Sequence, residues 1–381
     1  MKHIESENPF YFGRMVKTPY FTDREKDTKR LQSNFHNGIN SILISPRRWG
    51  KSSLVQKASN EIVSDTLKVA CIDMFSIRSE VDFYAAYTRA ILLATSSKLE
   101  ETLQNAKQFF KQIIPKISLG LDPATDFSLS FSWDEIQQHA DEILDFSEKI
   151  AKSKDIRLVV CIDEFQNIGS FGNSLAFQKL LRSVWQRHEN ACYCLYGSKF
   201  HTLQELFERQ SMPFYRFGDL IHLDKISEKD WFAFIKEKFE QTHKTISDDL
   251  IFKIIHTVDR HSYYVQQLSH LIWEKTLEAV DNEIFDEALD DMIQQNAILY
   301  QRDTENMTAY QVNFLRAIAG GVKTGLSGAE VIQKYRLGSS ANVAKIKKYM
   351  LNQEILDSRK KEFYFVDPVY ELWFKAEFSQ K

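Results

Sequence analysis

At 381 residues, 43% of them hydrophobic and 27% charged, the chain has the composition of a globular protein with room for two or three domains of about 150 residues each. A net charge of −3 excludes a positive field over the whole molecule, so any contact with nucleic acid has to come from a local patch. No stretch reaches the ~20 apolar residues of a membrane span, and no apolar run follows Met1-Lys2-His3 as a signal peptide requires, so the expected location is cytoplasmic.

Residues 1–20 are aromatic and irregular and read as a docked arm. Over 21–35, Phe21, Leu31 and Phe35 recur among charges, the spacing of a surface helix. Ile39–Ile44 is a short apolar strand, Ser45–Ser52 a loop, and 51–63 returns to helical spacing. Leu67–Met74 is a second strand, followed by a long helical stretch over 80–114. Apolar and polar residues alternate on either side of Asp122-Pro-Ala-Thr-Asp126, which predicts a β-hairpin inserted at about 116–132. Residues 133–152 are helical again. Leu158–Ile162 is a strand ending in Asp163-Glu164, 174–187 a helix, and Ala191–Tyr196 a strand ending in Gly197-Ser198. A helix over 200–209 and a short strand at Leu220–Leu223 complete the series. Strands alternating with helices predict an α/β core with a parallel sheet covered on both faces. The four cysteines, Cys71, Cys161, Cys192 and Cys194, fall inside apolar β-like runs, which predicts reduced, buried thiols rather than a metal site.

Beyond residue 225 the strand signals stop, and 228–300 reads as four helices. Helices near 308–319, 327–335 and 340–352, a β pair around Ile355–Asp357 and Phe363–Val366, and a last helix from Pro368 give the pattern of a winged helix. Its expected core is Tyr310, Phe314, Leu315, Ile318, Ile346, Tyr349, Leu351 and Phe365. The expected division is therefore an arm (1–20), an α/β core (21–224), a helical region (225–303) and a winged helix (304–381).

The chemistry concentrates at strand ends. Ser45-Pro46-Arg47-Arg48-Trp49-Gly50-Lys51-Ser52 fits the Walker A pattern G-x-x-x-x-G-K-[ST], with Ser45 in the first glycine place. Such a loop wraps phosphates with backbone N–H groups and with the positive N-terminus of the next helix. Lys51 would reach the β- and γ-phosphates and the Ser52 hydroxyl would ligate Mg²⁺, with Ser53 next on the helix. Arg157-Leu-Val-Val-Cys-Ile-Asp163-Glu164 is a Walker B arrangement, in which Asp163 holds Mg²⁺ and Glu164 polarises the attacking water. Ser198, at the next strand end, would bond the γ-phosphate or that water, or instead cap the helix beginning near Phe200. Arg216 reads either as an arginine finger or as half of a surface ion pair.

Together, Phe21-Thr-Asp-Arg24-Glu25, the loop from Ser45 to Ser52, Ile162-Asp163-Glu164-Phe165-Gln166, Leu195-Tyr-Gly197-Ser198 and Asp367-Pro368-Val-Tyr-Glu-Leu-Trp373 resemble the archaeal and bacterial ATP-binding proteins of the AAA+/STAND superfamily, over nearly the whole chain. The resemblance implies a P-loop NTPase fold: a five-stranded parallel sheet in the order 5-1-4-3-2, a helical lid and a C-terminal winged helix. It also implies adenine as the base; no Asn-Lys-x-Asp guanine-reading motif is present. The lid segment of such proteins often reads Gly-Gly-x-Pro-Tyr-Tyr, where this chain has Asp259-Arg260-His261-Ser262-Tyr263-Tyr264. Arg260 is by that resemblance a candidate lid arginine for the nucleotide. Many relatives also carry a nuclease-like domain after the winged helix, and none is expected within these 381 residues.

The expected function is a Mg²⁺-dependent ATP-hydrolysing switch. Two alternatives stand beside it: a nucleotide-binding interaction module with little turnover, working with a protein partner or a second copy, and a DNA-binding regulator. The last rests on Asn342, Lys345, Lys347 and Lys348 of the recognition helix and Arg359, Lys360 and Lys361 of the wing.

Overall fold

The apolar runs become strands because central positions in a parallel sheet are covered on both faces, which selects unbroken Val, Ile, Leu, Cys and Tyr. The computed structural model describes residues 7–14, 21–96, 118–120, 128–130 and 133–378. In chain order its strands are β1 (Ser41–Ile44), β2 (Leu67–Asp73), β3 (Ser118–Gly120), β4 (Ser128–Ser130), β5 (Arg157–Asp163), β6 (Ala191–Gly197), β7 (Asp219–His222), β8 (Leu356–Arg359) and β9 (Glu362–Phe365). Five of them form one sheet in the order β2-β5-β6-β1-β7. Counting those five alone, this is the expected 5-1-4-3-2 order. Every pairing is parallel: Leu67 faces Arg157 and Asp73 faces Asp163, Leu158 faces Ala191, and Ser41 lies between Cys194 and Asp219. The strands therefore deliver Ile44, Asp163 and Gly197 to one edge of the sheet.

All seven residues of β6 are buried, as a doubly covered central strand requires. On β2 the expectation for the cysteines fails. Cys161, Cys192 and Cys194 are buried, but Cys71 is exposed, because β2 is an edge strand and Cys71 shares its outward side with Asp73. The inserted hairpin is present, with Leu119 opposite Leu129 in an antiparallel pair; its Asp122–Asp126 turn lies outside the described residues.

The chain forms two compact units. The first comprises Arg24–Arg47 and Lys51–Asp224. It holds the five-stranded sheet and helices α1 (Glu25–His36), α2 (Lys51–Asn60), α3 (Glu80–Thr95), α4 (Trp133–Leu144), α5 (Phe146–Ser153), α6 (Ser174–Trp185) and α7 (Phe200–Glu208). Ser79 caps α3 by accepting the Asp82 amide hydrogen at 3.2 Å. The rest of the predicted 80–114 helix lies outside the described residues, and the single helix expected over 133–152 is two, interrupted at Asp145. Aromatic side chains fill this core: Trp185 stacks on Tyr193 at 4.1 Å, and Phe83 and Tyr87 extend the layer. Three buried hydroxyls there satisfy one another, Tyr87 donating to Ser147 at 2.7 Å and lying 3.1 Å from the Tyr193 hydroxyl.

The second unit comprises Met1–Asp23, Arg48–Gly50 and Lys225–Lys381. It starts with four helices, α8 (Glu228–Gln241), α9 (Asp248–Thr257), α10 (Ser262–Lys275) and α11 (Asn282–Glu305), of which α8, α9 and α11 are capped by Ser227, Ser247 and Asp281. Then come α12 (Ala309–Ala319), α13 (Ala329–Lys334), α14 (Ser340–Asn352), the β8–β9 wing and α15 (Pro368–Phe378). Residues 7–14 of the arm dock on α10: Phe10 is 1% exposed, its carbonyl lies 2.9 Å from His270 Nδ1, and the Tyr11 amide donates to Gln266 Oε1 at 3.2 Å. Phe314, Leu315, Ile318, Ile346 and Phe365 are core as expected, but Tyr310 and Tyr349 are exposed. Tyr310 instead lines a surface groove with Ile332, Gln333 and Arg336. No described helix is long and apolar enough to cross a membrane.

Candidate nucleotide site

β1 stops at Ile44 because Pro46 cannot donate to a ladder and holds Ser45 extended. Ser45 has no left-handed backbone to adopt, which is why it can stand where the pattern has glycine. The turn is made further on, by Arg48 at φ 62° and Gly50 at φ 90°. Ser45 and Pro46 are buried, and Arg47 is exposed. Lys51 is only 5% exposed, and its ammonium donates to the Ser45 carbonyl at 3.1 Å and the Pro46 carbonyl at 2.8 Å. Neutral carbonyls are weaker partners for an ammonium than an anion is. Ser53, next on α2, is buried.

The loop meets β5 through one contact: the Ser52 hydroxyl donates to Asp163 Oδ2 at 2.7 Å. Burial pushes the Asp163 carboxyl above its ordinary range, against the Ser52 hydroxyl, the Glu164 amide and the Lys51 charge, which hold it down. Two oxygens, one an incompletely compensated carboxylate, form a donor set suited to a hard divalent cation.

Glu164 follows at φ 52°, a left-handed conformation that a side chain adopts at a cost. Its Oε2 accepts from the Ser198 hydroxyl at 2.9 Å, the Ser198 amide at 3.4 Å and the Gln166 side-chain amide. Ser198 thus faces Glu164 and does not cap α7, whose N-cap is Lys199 without a side-chain cap bond. The structure brings Ser45, Pro46, Lys51, Ser52, Asp163, Glu164 and Ser198 together.

The other candidates have different surroundings. Arg216, at φ 54°, is exposed and its guanidinium lies 5.2 Å from the Tyr215 ring. It forms no ion pair among the described residues. Arg48 and Trp49 belong to the second unit, where Arg48 lies 4.6 Å over the Tyr263 ring and donates to the Tyr264 hydroxyl at 3.5 Å. Arg260, at φ 56°, is half-buried in that same unit. Sequence reasoning assigned no role to Gln166 or to the pair Tyr264 and Asp367, although each stands in a motif it singled out. On the winged helix, Lys345 and Lys348 are exposed, whereas Lys347 donates to Ser327 and lies over the Phe363 ring, and Asn342 donates to the Leu337 carbonyl.

A parallel sheet in this order, a loop between β1 and α2 closed by Gly-Lys-Ser, and Asp-Glu at the end of β5 define a P-loop ATPase domain of the AAA+ class, here followed by a winged helix. The chain belongs to the family described as "ATPase domain predominantly from Archaea", whose model matches residues 21–268, and residues 298–376 match a "probable winged helix domain". The chain is similar in structure to a Walker-type ATPase of Pyrococcus abyssi, with TM-score 0.67 and 17% identity over 96% of this chain and 99% of that one. It is similar also to the ORC2 protein of Aeropyrum pernix in its ADPNP–ADP complexes, with TM-score 0.57 and 14% identity over 97% and 100%. At these identities the likeness shows the fold. No curated protein matches.

Proposed function

We propose that the chain is a Mg²⁺-dependent ATPase of the AAA+/STAND type, a switch whose states are set by bound ATP or ADP. The observation that carries this reading is the 2.7 Å bond from Ser52 to Asp163, with Glu164 next along the chain. It joins the phosphate loop to a carboxylate pair, which a chance Gly-Lys-Ser match would not do. Lys51 releases the Ser45 and Pro46 carbonyls and pairs with the β- and γ-phosphates, while the amides from Arg47 to Ser53 surround the phosphates. Ser52 and Asp163 hold the Mg²⁺, which neutralises charge on the phosphates when bound. Glu164 orients the attacking water and takes its proton, and Ser198 bonds the γ-phosphate or that water. Arg216 is a candidate arginine finger, in cis or in trans, and Arg260 a candidate arginine for the nucleotide.

The test is equilibrium binding of Mg-ATP with steady-state phosphate release. Lys51→Ala should weaken binding about 100-fold, roughly 2.8 kcal/mol. Glu164→Gln should keep binding and lose turnover. Tight binding with equally absent release in parent and Glu164→Gln would replace this reading by the interaction module. Retention on duplex DNA at low salt, lost on changing the exposed Lys345 and Lys348 to Ala, would favour the regulator.

A further inference from the structure

The residue two places beyond Glu164 has no part in the scheme above, yet its surroundings are built around it. Gln166 is 4% exposed, and its side-chain amide donates to Glu164 Oε2. Its own Oε1 has no hydrogen-bond partner among the described residues. An amide buried with one end unsatisfied is less favourable than an apolar side chain of the same shape. Stability alone would therefore select Leu or Met here. The seat also requires Gly197: a Cβ there would lie 2.0 Å from Gln166 Oε1 and 3.2 Å from Glu164 Cα. A left-handed Glu164, an under-satisfied Gln166 and a glycine strand end thus coincide on one carboxylate.

We infer that Gln166 is a positioning residue for Glu164, a role that rests on the hydrolysis reading above. Gln166 and Ser198 direct three donors onto Oε2, and no hydrogen bond reaches Oε1 among the described residues. Fixing one carboxylate oxygen removes rotation about the last side-chain bond, so the direction of Oε1 is set before substrate arrives. Oε1 is then the atom that accepts a proton from water as the water oxygen bonds to the γ-phosphorus and the β,γ-bridging oxygen leaves with ADP. The proton passes on to the phosphate released. Gln166 touches neither water nor nucleotide in this arrangement and acts through Glu164.

The test compares parent, Gln166→Met, Gln166→Asn, Glu164→Gln and the Glu164→Gln/Gln166→Met pair in the full-length chain. Turnover and Mg-ATP affinity are measured separately, with a crystal structure of the parent and of whichever Gln166 variant folds. Met keeps the length without a donor, and Asn keeps the donor one carbon short. Turnover should fall at least ten-fold in Gln166→Met and Gln166→Asn with affinity within two-fold. The double variant should be no slower than Glu164→Gln alone, and the Glu164 carboxylate should leave Ser198 or occupy several rotamers. Turnover within two-fold of the parent, or a further loss in the double variant, overturns the positioning role and leaves the hydrolysis reading intact. A parent that binds Mg-ATP and never turns it over overturns both.

Discussion

Arg48, Glu164, Arg216 and Arg260, four of the candidate site residues, all hold left-handed backbone, with φ 62°, 52°, 54° and 56°. Each such conformation costs a side-chain-bearing residue about 1–2 kcal/mol. Asp163 adds a cost of a different kind. Its folded-state pKa lies above its unfolded value, chiefly through burial. The native state therefore binds the proton more tightly than the unfolded chain, and stability falls as pH rises through the window between the two values. The penalty is absent below the ordinary carboxylate range, at about pH 4, and complete once pH exceeds the raised value. Asp163→Asn removes the charge while keeping an acceptor for Ser52. In the absence of nucleotide and Mg²⁺ this variant should melt higher than the parent at pH 7, and the gap should close as pH is lowered towards 4. Thermal midpoints across that range decide it; a gap that widens on acidification would mean that the charge is compensated. Mg²⁺ should narrow the gap from the other side, since only the parent has the charge to hold it.

At the scale of an element, the turn between α9 and α10 tells how far a departure from a motif matters. Asp259 and Arg260 stand where resembling proteins often have Gly-Gly, and their φ values of 46° and 56° are those that glycine adopts freely. The backbone of the turn is kept and the side chains are accommodated at a cost. Asp259 has a visible return, an ion pair with Lys225. Arg260 forms no ion pair among the described residues, so Arg260→Gly should stabilise its unit by about 0.5–1 kcal/mol. If Arg260 serves the nucleotide, the same variant should bind Mg-ATP more weakly. Stability rising with affinity unchanged would remove Arg260 from the site. The turn also marks what the sequence made legible. Periodicity located the sheet strands and the helices of the winged domain, and Gly-Lys-Ser with Asp-Glu picked out two segments that the Ser52–Asp163 bond joins, because both signals are local. Cys71, Tyr310 and Tyr349 were misplaced because their exposure is decided by which neighbour covers them: β2 is an edge, and the two tyrosines stay 49% and 36% exposed. The Glu164–Gln166–Ser198 cluster was legible only in part, since Ser198 arrives from another strand and only the fold shows that it faces Glu164.

For the molecule as a whole, the helices from Lys225 onward and the winged helix share one hydrophobic core, running from Phe10 and Trp231 to Phe374. A polar cluster within it ties α10, α11 and α15 together. Asp367 Oδ1 accepts the Val369 and Tyr370 amides at 2.9 and 3.0 Å, capping α15. Its Oδ2 accepts the Tyr264 hydroxyl at 2.5 Å and the Tyr300 hydroxyl at 3.1 Å. Burial, reinforced by the Asp367 charge, pushes both phenols far above their ordinary range, so they remain donors at any working pH. Tyr264→Phe removes one donor from an acceptor that keeps three others, and should cost about 1 kcal/mol. Asp367→Ala removes the cap and leaves a buried hydroxyl unsatisfied, which should cost about 2–4 kcal/mol. Because α8 to α11 and the winged helix have a common core, that loss should appear in the whole second unit, from the Phe10 arm to α15, and not in the winged helix alone. Urea unfolding followed by hydrogen exchange separates the cases. Loss of protection in α10 and α15 together is the expected outcome, with β5 and β6 unaffected; loss confined to α15 would mean that α8 to α11 and the winged helix are two independently stable domains.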